Sequence, residues 1–134
     1  MHIMSYYTED RNVRLHILVS EKTHAALKEF AQHVSEVREI AIHYPSGVPF
    51  TYSVRMILLI GLSIAQETPD VIYSHLKDLD TTEPLPPRGF GLACPVWLMN
   101  EIDELARSKH LIRSRTIRAL LDLGLKEEQI STAL

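Results

Sequence analysis

The sequence predicts a mainly helical domain that carries two short strands, assembled from two copies of one strand–helix–helix unit. Three observations lead there. Residues 90–125 read as a strand, a proline-started helix, a brief turn and a second helix. Residues 14–62 run through the same order, with matching residues at matching spacing. Between the copies lies an acidic, proline-rich stretch that reads as a connection and not as a third unit.

Residues 1–12 read as a mobile arm, polar except for Ile3, Met4, Tyr6 and Tyr7. In the first strand Leu15, Ile17 and Val19 alternate with Arg14, His16 and Leu18, which gives one apolar face. Ser20 is an N-cap candidate, and Leu27, Phe30, Ala31 and Val34 form the apolar stripe of the helix that follows. An insertion near 36–48 comes next. It either prolongs the helix to about Glu39 or forms a hairpin turning at Pro45, Ser46 and Gly47. The second helix of this unit spans 51–62, and the first unit as a whole 13–65.

The connection, 66–88, opens on Thr68, Pro69 and Asp70, a helix-start signal. Val71, Ile72, Leu76 and Leu79 suit a short amphipathic helix, and Pro84, Pro86 and Pro87 then enforce an extended run. The second unit spans 89–126. Phe90, Leu92 and Cys94 alternate with Gly89, Gly91 and Ala93 along its strand. Pro95 suits a first helical turn, where its missing N–H has no partner in any case. Leu98, Met99, Ile102, Leu105 and Ala106 make the stripe of its first helix. Ser114 is the expected N-cap of the second helix, whose buried face is Ile117, Leu120, Leu121 and Gly124. Ungapped, Ser20 falls on Pro95, Leu27 on Ile102, Phe30 on Leu105 and Ala31 on Ala106. Past the insertion, the run from Val54 matches the run from Ile117, with Arg, Leu, Gly and Leu coinciding.

At 134 residues the chain, 1–134, is expected to be a single domain. An apolar fraction of 46% and a charged fraction of 23% fit a packed core. The lone Cys94 excludes an internal disulfide and a multi-cysteine zinc site, and its place on an apolar face makes it a buried thiol. The N-terminus has no apolar core of a signal peptide, and the run from Met56 to Ala65 is shorter than the ~20 residues a bilayer span needs. A soluble cytoplasmic protein without a membrane partner is expected. The net charge is −3, and the 66–88 stretch accounts for it: Glu67, Asp70, Asp78, Asp80 and Glu83 outnumber Lys77 and Arg88. The rest is neutral, which leaves room for a local basic face only.

No catalytic motif is present. The histidines show no i, i+4 ligand pairing, and a phosphate loop, a nucleophile elbow and a Cys–His arrangement are all missing from the sequence. A non-enzyme without metal or cofactor is expected. Glu101, Asp103 and Glu104 read as a solvated helix face. Trp97 falls outside its helix's stripe, and either packs under the insertion or connection or marks a protein-binding spot.

The order from Phe90 to Leu125 resembles the ribbon-helix-helix (Arc/MetJ) family of DNA-binding proteins. The resemblance implies that one unit cannot bury its core alone and that two units intertwine, their strands pairing as an antiparallel ribbon. With both units in one chain, it implies a fused pseudo-dimer. It further implies that the ribbon enters the major groove of double-stranded DNA and that alternate outward side chains touch base edges. On the first strand these are Arg14, which can donate twice to guanine, His16, which can donate or accept, and Leu18, which can meet a thymine methyl. On the second strand the outward residues are Gly89, Gly91 and Ala93, with Arg88 just before them. That contrast has two readings: an unequal reading head, or a ribbon that no longer reads bases.

The family also grips phosphate at the N-terminus of the second helix. Arg113, Ser114, Arg115 and Thr116 stand there in the second unit, and Thr51, Tyr52 and Ser53 in the first. Tandem units of this kind resemble accessory proteins of conjugative plasmids and T-DNA transfer and small regulators of mobile elements. The resemblance therefore implies sequence-specific DNA binding, as regulator or DNA-transfer accessory factor, with assembly of several copies on DNA open. The competing expectation is a protein-interaction module on the same fold, holding a partner by its acidic connection and Trp97.

Overall fold

A computed structural model describes residues 12–35, 49–68, 70–82 and 88–133. In chain order these form β1 (Asn12–Val19), α1 (Glu21–Ser35), α2 (Phe50–Glu67), α3 (Val71–Thr82), β2 (Arg88–Pro95), α4 (Val96–Ser108) and α5 (Arg113–Ala133). The fold among these residues is mainly helical, with one two-stranded antiparallel sheet of β1 and β2. The N-terminal arm, the insertion at 36–48 and the prolines at 84, 86 and 87 lie outside the described residues.

Strand parity decides which face of the sheet is buried. Leu15, Ile17 and Val19 of β1 and Leu92 and Cys94 of β2 are all at most 2% exposed, while Arg14, His16 and Leu18 face outward. The register sets Arg14 opposite Ala93, His16 opposite Gly91, Leu18 opposite Gly89 and Val19 opposite Arg88. Arg88 is thus the first residue of the strand and not merely its neighbour. Cys94 is buried and donates its S–H to the Pro95 carbonyl at 3.4 Å, and burial pushes its thiol up to about 11. Its thiolate fraction near neutrality is negligible, so it acts as a small apolar side chain.

Helix ends follow local chemistry, with one correction. Ser20 caps α1: its Oγ accepts from the Thr23 N–H at 3.0 Å. Pro95 takes the same place before α4, at the N-cap. The C-terminus of α4 closes with Leu111 N–H donating to the Ala106 carbonyl at 2.8 Å and His110 N–H to Arg107 at 3.2 Å. His110 sits at φ 59, the left-handed position that such an ending requires, and it turns the chain sharply into α5. The expected N-cap at Ser114 is replaced by Ile112, whose carbonyl accepts the first helical bond from Thr116 N–H at 3.1 Å. Ser114 therefore lies inside the first turn. Both second helices outrun the expected limits, α2 reaching Glu67 and α5 reaching Ala133.

Under the sheet, α2 and α5 cross in contact. Each crossing point needs a glycine: a Cβ on Gly61 would stand 2.0 Å from the Leu120 carbonyl oxygen, and one on Gly124 would stand 2.3 Å from that of Ile57. Those atoms are backbone and cannot turn aside. Val54, Ile57, Leu58, Ile117, Leu120 and Leu121 fill the crossing, each at most 1% exposed. The helices α1 and α4 close the flanks with Leu27, Phe30, Leu98 and Ile102.

The described part of the connection, α3, packs against the core. Ile72, Leu76 and Leu79 of α3 are buried, as their spacing predicts. His75 Nδ1 lies 2.6 Å from Asp122 Oδ2 on α5, and the Tyr73 hydroxyl donates to the Lys109 carbonyl at 3.0 Å. These contacts fasten the middle of the connection to the second unit.

Candidate nucleic-acid interface

Alternation along β1 brings Arg14, His16 and Leu18 together on the solvent face of the ribbon. Opposite them β2 offers almost no side chain, and the β1 residues lean across to cover it. A Cβ on Gly91 would lie 2.5 Å from Arg14 Nη1, and one on Gly89 would lie 3.1 Å from both His16 Cε1 and Leu18 Cδ2. Since Arg14 faces Ala93 in register, its side chain reaches Gly91 diagonally. The outer face is one row of long side chains over a glycine floor. Chemically it presents up to five guanidinium N–H donors, one imidazole and one branched apolar tip.

Arg88, expected beside the outward residues, pairs with the inward Val19 and shares the strand parity of Phe90, Leu92 and Cys94, so it belongs to the opposite face. Its exposed guanidinium lies 3.4 Å from Glu21, the first residue of α1. Both partners are solvated, so the pair adds little stability, but it sets an anion beside the ribbon.

The two helix starts differ from the expectation in a consistent way. Ser53 donates its hydroxyl to the Phe50 carbonyl at 2.7 Å, and Thr116 donates to Ile112 at 3.0 Å. Both are wholly buried, so neither hydroxyl is available to a phosphate. Thr51, Tyr52, Ser114 and Arg115 are half-buried in the same two turns. Arg113 is held by Asp103 through two bonds, Nε at 2.7 Å and Nη2 at 2.8 Å. The hydrogen bond to Arg113 keeps the Asp103 carboxyl below its ordinary range and raises the Arg113 guanidinium correspondingly. Asp103 is thus no part of a plain solvated face; the helical period cannot foresee a partner ten residues on across a turn. Glu101 likewise accepts from Gln66 Nε2 at 3.1 Å.

Two further features escaped the sequence. His24 is 8% exposed and meets Phe50 and Phe90 with ring centroids at 5.3 and 5.7 Å. Burial first, then Arg88 and Lys28, lower its pKa. Its signal was available, because His24 continues the stripe of Leu27, Ala31 and Val34 by one step toward the N-terminus. The second is a groove of about 430 Å³ where α2 meets the start of α4, lined by Tyr52, Arg55, Met56, Leu59, Pro95, Trp97 and Leu98. Trp97 is 38% exposed and Leu59 is 41% exposed there.

Among the described residues no group of three or more His, Cys, Asp or Glu could hold a metal ion, and no helix is long and apolar enough to cross a membrane. No family model, curated protein or solved structure matches the chain.

Proposed function

We propose that the chain is a fused ribbon-helix-helix pseudo-dimer that binds double-stranded DNA sequence-specifically through its ribbon, without catalysis, as a regulator or DNA-transfer accessory factor of a mobile element. The observation that carries this reading is the symmetry of the contacts under the internal repeat. The ungapped match equates Leu15 with Phe90 and Ile17 with Leu92, while the register pairs Leu15 with Leu92 and Ile17 with Phe90. Exchanging the two units therefore maps one pair onto the other, and His16 faces its own counterpart, Gly91. The helices obey the same exchange. Gly61 and Gly124 are counterparts, as are Ile57 and Leu120, and each glycine meets the other unit's counterpart carbonyl. Two sets of contacts related by one two-fold exchange support two intertwined halves. The solvated row of Arg14, His16 and Leu18 then lies where such a ribbon meets a major groove.

The test is affinity for random and selected duplex DNA across a salt series. Each phosphate contact adds about 0.9 to the slope of log affinity against log salt. Because Arg113 is engaged by Asp103, the Arg113→Ala, Arg115→Ala double variant should flatten the slope by less than two such contacts. Absence of salt-dependent duplex binding refutes the reading. The groove at Trp97 then favours the second one, a protein-interaction module, in which Trp97 and Leu59 are the anchors.

A further inference from the structure

We propose that the ribbon reads a non-palindromic DNA site, with base recognition confined to side chains of β1. This inference rests on the DNA-binding reading above and concerns what that site selects. A two-fold reading head ordinarily selects a two-fold site, because operator symmetry mirrors protein symmetry. Here the buried contacts keep the exchange symmetry and the outer face breaks it. The counterparts of Arg14, His16 and Leu18 are Gly89, Gly91 and Ala93, none of which carries a polar side-chain atom. The space those counterparts would fill is taken by the β1 side chains themselves, with Arg14 Nη1 lying 2.5 Å from a Cβ built on Gly91.

The chemistry of each position follows. Arg14 can bond both N7 and O6 of one guanine, and His16, at the centre of the ribbon, can make one bond of either sense. Leu18 can cover a thymine methyl. The β2 backbone is engaged in the sheet and lies beneath the β1 side chains, so it discriminates little. The site should therefore be non-palindromic, with the guanine read by Arg14 on one side of the ribbon centre and only the weaker apolar contact of Leu18 on the other.

The experiment is selection from a random duplex pool with the full chain, run for the native protein, for Arg14→Ala, and for the triple variant Gly89→Arg, Gly91→His, Ala93→Leu. The triple variant copies the outer face of β1 onto β2. At Gly89 and Gly91 the atoms nearest an added Cβ belong to the side chains of Arg14, His16 and Leu18, which can move, and not to backbone. The native chain is expected to yield a consensus that specifies a guanine on one side of its centre only, and the triple variant to add the inverted copy, making a palindrome. Arg14→Ala should lose about tenfold on the selected site, concentrated at one base pair, with little change on random duplex. That variant keeps the test decisive if circular dichroism finds the triple variant unfolded. A palindromic native consensus, or equal losses for Arg14→Ala on selected and random DNA, overturns the inference while leaving DNA binding intact. If no duplex is retained at any salt, the DNA-binding reading itself falls, and the inference with it.

Discussion

At the scale of single residues, the informative side chains are those whose partners lie far away in sequence. His24 is the clearest, since its neighbours Phe50 and Phe90 come from two other elements. Burial and the nearby Arg88 hold its folded-state pKa below 6.5, so the unfolded chain takes the proton first as the pH falls. Stability is then intact above about pH 6.5 and declines below it, because the unfolded state binds more protons. Denaturant titrations at pH 7 and about pH 5 should show a drop for the native chain that His24→Phe reduces, since the phenyl ring cannot take up a proton. An identical drop in both proteins would assign the effect to other groups. Asp103 acts in a lower window: its pKa is depressed from 3.8 by Arg113, so its contribution holds above that value and is lost as the pH falls through the folded pKa.

At the scale of elements, what was legible and what was not divides by range. Strand parity, the Ser20 cap and the stripe of Ile72, Leu76 and Leu79 are set within a few residues, and each emerges in the expected place. The start of α5 lies ahead of Ser114, which has the chemistry of a cap, because the position is settled by the turn before it. Once His110 closes α4, the first carbonyl aligned with the new helix is that of Ile112. No local pattern announces that Asp103 will hold Arg113 or that β1 side chains will cover Gly89 and Gly91. The glycines of the helices were legible as matching letters, but their purpose needed the crossing. Gly61→Ala and Gly124→Ala each put a methyl against a backbone oxygen, at 2.0 and 2.3 Å. Alanine gains about 1 kcal/mol of helix propensity at each site, but forcing packed helices apart costs about 1–3 kcal/mol or more. With contacts this close the clash should win. Urea unfolding should show both variants destabilised by about 2 kcal/mol, and by similar amounts, because the two sites are counterparts. A neutral or stabilised variant at either position would contradict the crossing.

At the scale of the whole molecule, the question is where the second half of the core comes from. A ribbon of β1 and β2 buries one face only, and α2 and α5 bury theirs against each other. Either unit alone would leave Leu15, Ile17, Ile57 or their counterparts uncovered, so a single unit should need a partner chain. Here α3 fastens the connection to α5 through His75 and Asp122, and the second unit arrives on the same chain. Folding should therefore be unimolecular. For an obligate two-state dimer, each tenfold dilution removes about 1.4 kcal/mol of apparent stability. A thousandfold dilution, from about 10 μM to about 10 nM, would remove roughly 4 kcal/mol, a large share of the 5–15 kcal/mol typical of a domain. With a urea slope of about 1–3 kcal/mol per molar, that loss would move the midpoint by more than 1 M. The native chain is expected to keep its midpoint unchanged over that range, followed by intrinsic fluorescence. A midpoint that falls with dilution would mean that a second copy completes the core, and the fused-pair architecture would have to be abandoned.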